Sequence, residues 1–324
     1  EAPTESVVAP LFASHELLEF SIHAPWEDIR RDRGDDREER PAELRIDGGA
    51  PLPLQVRTRG NFRRQRSTCP RMPPIRLNFP TTKVAGTVFE GQDKLKLVTH
   101  CRGRDSDEQN LLQEYLVYRV FNELTPNSFS ARLARMTYVD SARPDDEPVT
   151  KYAFIIEAEE ALAERLGGMM LNVPSAHPTD YDRDGMLTVA LFEYMVGNTD
   201  WSLVQFHNIR LFQSDQMMVL PIPYDVDWTG LVSAPYAEPN ETLRIRSVRD
   251  RLYRGYCVDG LDYAGVAAHF REKKAAVLAL VDQIPGMTED TAEDSRRYLN
   301  EFFEIVEDQG RYERNVVSRC RSLG

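Results

Sequence analysis

The chain has 324 residues, a mass of 37.1 kDa and 41% hydrophobic residues, enough to bury a substantial core as one large two-lobed domain or two small ones. Its formal net charge of −12 and pI near 5.1 argue against broad neutralisation of nucleic-acid phosphates, which needs an extended basic surface. No apolar run approaches the roughly 20 residues of a membrane-spanning helix; the best candidate, Ala275 to Val281, is far shorter.

The opening EAPTES is small and acidic, the start left by removal of a signal peptide or by an artificial truncation. Short, partly alternating runs then read as strands: LLEFSI, AELRID, LPLQVRTR, IRLNF and KLKLV, separated by Gly, Pro and charged clusters. Arginines 57, 59, 63, 64, 66, 71 and 76 concentrate here, either as a salt-bridged loop surface or facing phosphate. A helix is predicted from Ser106, which forms a capping-box pattern with Gln109; Leu112, Leu116 and Val120 recur at four-residue spacing, and Pro126 stops it.

Two more strands, ARMTYVD and KYAFIIE, flank the polar connection SARPDDEPVT. EEALAERL reads as a short helix ending at Gly167 and Gly168, and LTVALFEYM as a helix ending at Gly197. Before the latter, Asp180, Asp182, Asp184 and Gly185 resemble half of a calcium loop, but Leu191 stands where the bidentate glutamate is required, so an acidic turn capping the helix is the better reading. Long helical patterns close the chain from about Gly265.

Between Gly197 and Gly230 lies GNTDWSLVQFHNIRLFQSDQMMVLPIPYDVDWTG. NIRLF and MMVLPIPY read as a hairpin around the turn QSDQ, and an antiparallel pair sets its open ends side by side. That places Asn208 beside Asp225, with Asp200 in the preceding loop and Asp227 just beyond. Oxygen ligands of this kind suit Mg²⁺ or Mn²⁺, which complete their shells with water and substrate phosphates. Phosphoryl transfer needs such a site: one carboxylate orients the attacking hydroxyl while others hold the metal. Asp200 is the candidate for the first role, Asn208, Asp225 and Asp227 for the second. His207 lacks a nearby nucleophile and reads as structural. Arg246, Arg249, Arg251 and Arg254 form either an acidic-substrate dock or a salt-bridged helix face.

The motifs RGNFRR, LLQEYLVYRVFNEL, GNTDW with the following HN, and PYDVDW together resemble the CotH family of spore-coat-type kinases, over about Arg57 to Asp227. The resemblance implies an α+β, atypical protein-kinase-like two-lobed fold, with a β-rich N-lobe over residues 1–156 and a mainly helical C-lobe over 157–324. It implies ATP with Mg²⁺ or Mn²⁺ and a protein substrate phosphorylated on serine or threonine. Residue by residue, Asp200 resembles the catalytic-loop aspartate, Asn208 the metal-binding asparagine and Asp225 the metal-binding aspartate. The spacing of eight from Asp200 to Asn208 exceeds the five of ordinary protein kinases. Lys96 and Glu114 fit the kinase lysine–glutamate pair by position, and Arg59 and Arg63 fit a phosphate-facing loop in which a single Gly60 replaces a glycine-rich run. A catalytically silent adhesion or scaffold module of the cell envelope, a nucleotidyl transferase and a glycosyltransferase are the alternatives.

Cys69, Cys101, Cys257 and Cys320 lack metal-site spacing. Their even number suits an oxidising compartment and hence an exported protein, with Cys69–Cys101 and Cys257–Cys320 as the expected pairing and four buried thiols as the alternative.

Overall fold

The computed structural model describes residues 8–47 and 49–323; the opening EAPTES lies outside them. The chain divides into two compact units, one of Glu1–Leu111 with Ser130–Ala158, the other of Leu112–Phe129 with Glu159–Gly324.

In the first unit the strands are β1 (Leu18–Ala24), β2 (Arg40–Arg45), β3 (Leu52–Thr58), β4 (Ile75–Asn78), β5 (Lys94–Val98), β6 (Ala131–Asp140) and β7 (Val149–Ile156). Each predicted run becomes a strand, because alternate residues supply one apolar face. Leu18, Phe20 and Ile22 of β1, Leu54 and Val56 of β3, Ile75 and Leu77 of β4, and Met136 and Tyr138 of β6 all turn into one buried cluster. The predicted loop SARPDDEPVT connects β6 to β7, although its last two residues already pair as strand.

The expected protein-kinase-like two-lobed fold, a β-rich N-lobe followed by a mainly helical C-lobe, is corrected here. The seven strands close into a mixed barrel in the order β1-β2-β3-β4-β5-β7-β6. Closure comes from one parallel pairing, β1 on β6 from Leu18↔Ala134 to Ala24↔Asp140, while every other neighbour in the barrel is antiparallel. A parallel pair joins residues distant along the chain and has no turn to announce it, so alternation alone does not reveal the closed ring. A short helix, α1 (Trp26–Arg31), follows β1 and was not read from the sequence. It is too brief for a helical period to emerge, but it buries Trp26 and Ile29.

Helix α2 (Asp105–Leu124) crosses from the first unit into the second, with Leu112, Leu116 and Val120 fully buried as their spacing requires. Its start lies just upstream of the predicted cap: Asp107 accepts from the backbone amide of Arg104 at 2.9 Å, and Ser106 is already helical.

The second unit continues with α3 (Glu159–Leu166), β8 (Gly168–Leu171), α4 (Arg183–Val196), β9 (Ile209–Ser214), β10 (Val219–Pro223), α5 (Tyr263–Leu280), α6 (Glu289–Glu307) and α7 (Gln309–Asn315). Asp182 caps α4 by accepting from Gly185 N at 2.7 Å, and Asp180 accepts from His177 N, so the acidic turn serves as a cap. The strand β8 was missed. It adds to β9 to make a separate three-stranded sheet, β10-β9-β8.

Both expected disulfides are present, Cys69–Cys101 in the first unit and Cys257–Cys320 in the second. Among the described residues no helix is long and apolar enough to cross a membrane.

His100 lies buried in the first unit, with Nδ1 3.3 Å from Tyr138 Oη. Burial, with the charges of Lys151 and Arg71, lowers its pKa to about 4. The unfolded chain binds a proton near 6.5, so between those values it takes up the proton first, and stability falls as pH drops through this window. His100→Gln should therefore remove about 3 kcal/mol of the loss in stability between pH 7 and pH 4. Urea unfolding of both proteins across that range tests this; an unchanged slope would contradict it.

Candidate functional site

The hairpin β9–β10 forms as the alternation predicts, with Ile209 opposite Pro223 and Leu211 opposite Pro221. Pro221 and Pro223 lack an N–H, and β10 is an edge strand, where that loss is tolerated. Just below the hairpin Tyr224 N donates to Asn208 O at 2.9 Å, which holds the segments carrying Asn208 and Asp225 together. Both residues have positive φ, +52° and +58°, a left-handed geometry that Asn and Asp accept more readily than most side chains.

The ends of the segment are also tied. Gly230 N donates to Gly197 O at 3.1 Å and Leu231 N to Val196 O at 3.1 Å. A Cβ at Gly197 would sit 2.0 Å from Tyr298 Oη, and Gly197 itself has φ +69°. Any side chain there would open the closure.

Within this frame Asp225 and Asp227 meet Glu114 of α2. One ligand oxygen from each of the three lies within 4.8 Å of the others, and Glu114 and Asp227 are buried. Tyr236 Oη donates to Asp227 Oδ2 at 2.7 Å, and Asp225 N donates to Tyr118 Oη at 3.2 Å. Burial, then the neighbouring Tyr224, Glu114 and Asp225, hold the Tyr118 phenol well above its usual pKa, so it stays neutral. Three carboxylates at this spacing repel one another unless a cation lies between them. The set is hard, all oxygen and multiply anionic, which fits Mg²⁺ or Mn²⁺.

Asp200 forms a second group. Its Oδ1 lies 2.9 Å from His207 Nε2, its Oδ2 accepts from Asn208 Nδ2 at 3.1 Å, and its backbone oxygen accepts from the same Nδ2 at 2.7 Å. Asn198 Oδ1 accepts from Asp200 N at 2.9 Å and fixes the turn. The amide nitrogen of Asn208 is thus committed to Asp200, and its carbonyl oxygen, the atom a cation would use, is the one left over. Glu114, expected as the partner of Lys96, stands among these carboxylates. Lys96 lies on β5, Arg59 just past β3 and Arg63, with its side chain buried, in the loop after it, all in the first unit.

The run from Arg246 to Arg254 is irregular, not helical. Arg249 pairs with Asp294 at 3.0 Å, Arg251 with Glu301 at 3.1 Å, and Arg254 donates to Thr199 O. These three arginines brace the unit.

Sequence reasoning passed over Glu193, on α4. It is completely buried, and neither carboxyl oxygen has a partner of good hydrogen-bond geometry. Burial raises its pKa to about 8; Asn198 opposes that shift, Asp200 adds to it and Arg254 opposes it. One signal was visible: a lone acid between Phe192 and Tyr194 in an otherwise apolar helix.

No family model and no curated protein matches the chain, so the resemblance to the CotH family rests on the quoted motifs alone.

A raised carboxyl pKa means that between about 4.5 and 8 the folded protein keeps a proton the unfolded chain has released, so stability falls as pH rises. Glu193→Gln keeps the shape without the charge. The variant should match the wild type near pH 5 and exceed it by on the order of 3 kcal/mol at pH 7, read from denaturant midpoints. Parallel pH profiles would show that Glu193 is not held protonated.

Proposed function

We propose that the chain is an ATP- and divalent-metal-dependent phosphotransferase, of the kind its CotH-like motifs imply, and that it acts on an exported protein. The observation that carries this reading is the convergence of Glu114, Asp225 and Asp227, since so concentrated an anionic set on tightly fixed backbone has no structural advantage of its own. The two disulfides support an oxidising location.

Glu114, Asp225 and Asp227 would hold the ion, with the leftover carbonyl oxygen of Asn208 as a further donor. A divalent ion supplies charge neutralisation for nucleotide phosphates and for the charge that spreads over the transferred group. The chain's own part is positioning. Asp200 orients the acceptor hydroxyl and receives its proton: each carboxylate oxygen offers two acceptor sites, so the contacts to His207 and Asn208 leave one on each. Tyr118 and Tyr236 fix Asp225 and Asp227 by hydrogen bonds without adding charge. In this reading Glu193, which sits close enough to Asp200 to feel its charge, stays neutral and spares that carboxylate a second negative neighbour.

Calorimetry with Mn²⁺ and ATP tests the proposal. Wild-type protein should bind the metal–nucleotide complex and gain stability in proportion to ln(1 + [L]/Kd), about 2.7 kcal/mol at a hundredfold excess over Kd. Asp225→Ala should abolish both effects while keeping a cooperative unfolding transition without metal. Asp200→Ala should bind normally and lose transfer by at least about a hundredfold. Wild-type protein that binds neither metal nor nucleotide would overturn the proposal and favour a silent adhesion or scaffold module.

A further inference from the structure

A cavity of about 440 Å³ opens in the first unit between α1, the loop before β4, the turn after β5 and the loop joining β6 to β7. It has no part in the chemistry proposed above, and its size is that of a small-ligand site. Its walls are largely apolar: Trp26, Met72 and Tyr138 are buried there, and Val149, half exposed, stands at the edge. Trp26 and Tyr138 meet edge to face at 4.8 Å, and Trp26 is oriented by donating Nε1–H to Ile22 O at 2.9 Å. The indole and phenol rings are fixed before anything binds.

Most charges around this cavity are matched; among the described residues the exceptions are Arg71 and the exposed carboxylate Glu147. Glu27 meets Arg30, and also Arg31 at 2.7 Å and Arg143 at 3.6 Å. Asp140 and Asp146 meet Arg143 at 3.0 and 3.3 Å, and Lys151 meets Glu108 at 2.7 Å. The guanidinium of Arg71 makes no ion pair or hydrogen bond among the described residues, although it lines the cavity. Arg71 has an exposed side chain, but its backbone is anchored. Its amide and that of Met72 donate to Cys101 O at 3.1 and 3.3 Å, next to the Cys69–Cys101 bridge. Its side chain also lies across Gly103, where a Cβ would meet Arg71 Nε at 3.2 Å.

His100 completes the polar end. Burial, with the nearby cations Lys151 and Arg71, keeps it neutral at physiological pH. When Tyr138 donates its hydroxyl hydrogen to Nδ1, His100 carries its proton on Nε2 and is a neutral donor.

We propose that this cavity binds a small organic monocarboxylate with an aromatic or comparably apolar body, its carboxylate on Arg71 and its apolar part against Trp26, Met72, Tyr138 and Val149. A single free guanidinium matches a single negative charge and offers a two-pronged donor to a planar carboxylate. A phosphate dianion would bring a second charge beside Glu27, Asp140, Asp146 and Glu147 with no cation left for it. The site therefore differs in kind from the three-carboxylate centre, which needs a cation and suits polyphosphate.

Benzoate is the probe, titrated into the intact chain and followed by calorimetry and by amide chemical shifts. Benzoate should bind with a dissociation constant of about 1 mM or tighter and shift Gly103 and Val149. Arg71→Met keeps the stem over Gly103 and removes the charge, and should weaken binding about tenfold or more. Arg71 is exposed, so this variant should fold. Phenyl phosphate, carrying two charges, should bind less tightly than benzoate. No benzoate binding at about ten times that concentration, equal affinity in Arg71→Met, or phenyl phosphate binding as tightly as benzoate would each overturn the proposal.

Discussion

Holding Glu114, Asp225 and Asp227 within 4.8 Å of one another is the constraint on which the second unit is organised. Like charges at that range disfavour one another strongly where water is excluded. The fold opposes that repulsion with local geometry: a hairpin that fixes the approach of Asp225, tyrosine hydroxyls on Asp225 and Asp227, and a long buried helix that carries Glu114. Each of these would be unnecessary if the carboxylates were solvated surface groups. Gly197 and Gly230 serve the same end, since their backbone bond closes the segment and neither position has room for a Cβ.

The barrel meets a different demand. Its seven strands bury one alternating face each, and parallel pairing of β1 with β6 removes both edges that an open sheet would expose. Connections between the strands then crowd at the barrel rim, where the Cys69–Cys101 bridge fixes two of them against each other. Buried, neutral His100 lies next to bridged Cys101, so the covalent link holds in place a group whose desolvation runs against stability.

Most of the strands and long helices were legible because their period is local: alternation in β1 to β7, four-residue spacing in α2, and the cap residues of α4. The β9–β10 hairpin, with its turn at QSDQ, could be read far enough to bring Asn208 beside Asp225. The closed barrel was not legible, because the β1–β6 pairing joins residues more than a hundred positions apart. Nor were α1 and β8, which span too few residues to show a period. In the site, Asp225 and Asp227 were read together because they lie only two positions apart in sequence. The place of Glu114 among them depends on tertiary packing, which its position on a helix does not disclose. The same holds for Asn208 and Asp200: their shared hydrogen bonds arise from a loop of eight residues whose path is set by Asn198 and by the Ser202–His207 bridge.

Backbone and side-chain demands coincide at two of these positions. Asn208 and Asp225 both adopt positive φ, which costs most residues about 1 kcal/mol or more and glycine almost nothing. Glycine would be the relaxed choice for both turns if shape alone mattered. The chain instead places there an amide and a carboxylate, two of the few side chains that tolerate the conformation while also offering an oxygen. Strain of that size is small beside the repulsion among three carboxylates, so it does not by itself identify a site. Its coincidence with that repulsion does more: two separate departures from the most stable arrangement meet at the same few residues, and a bound cation would offset the larger of them.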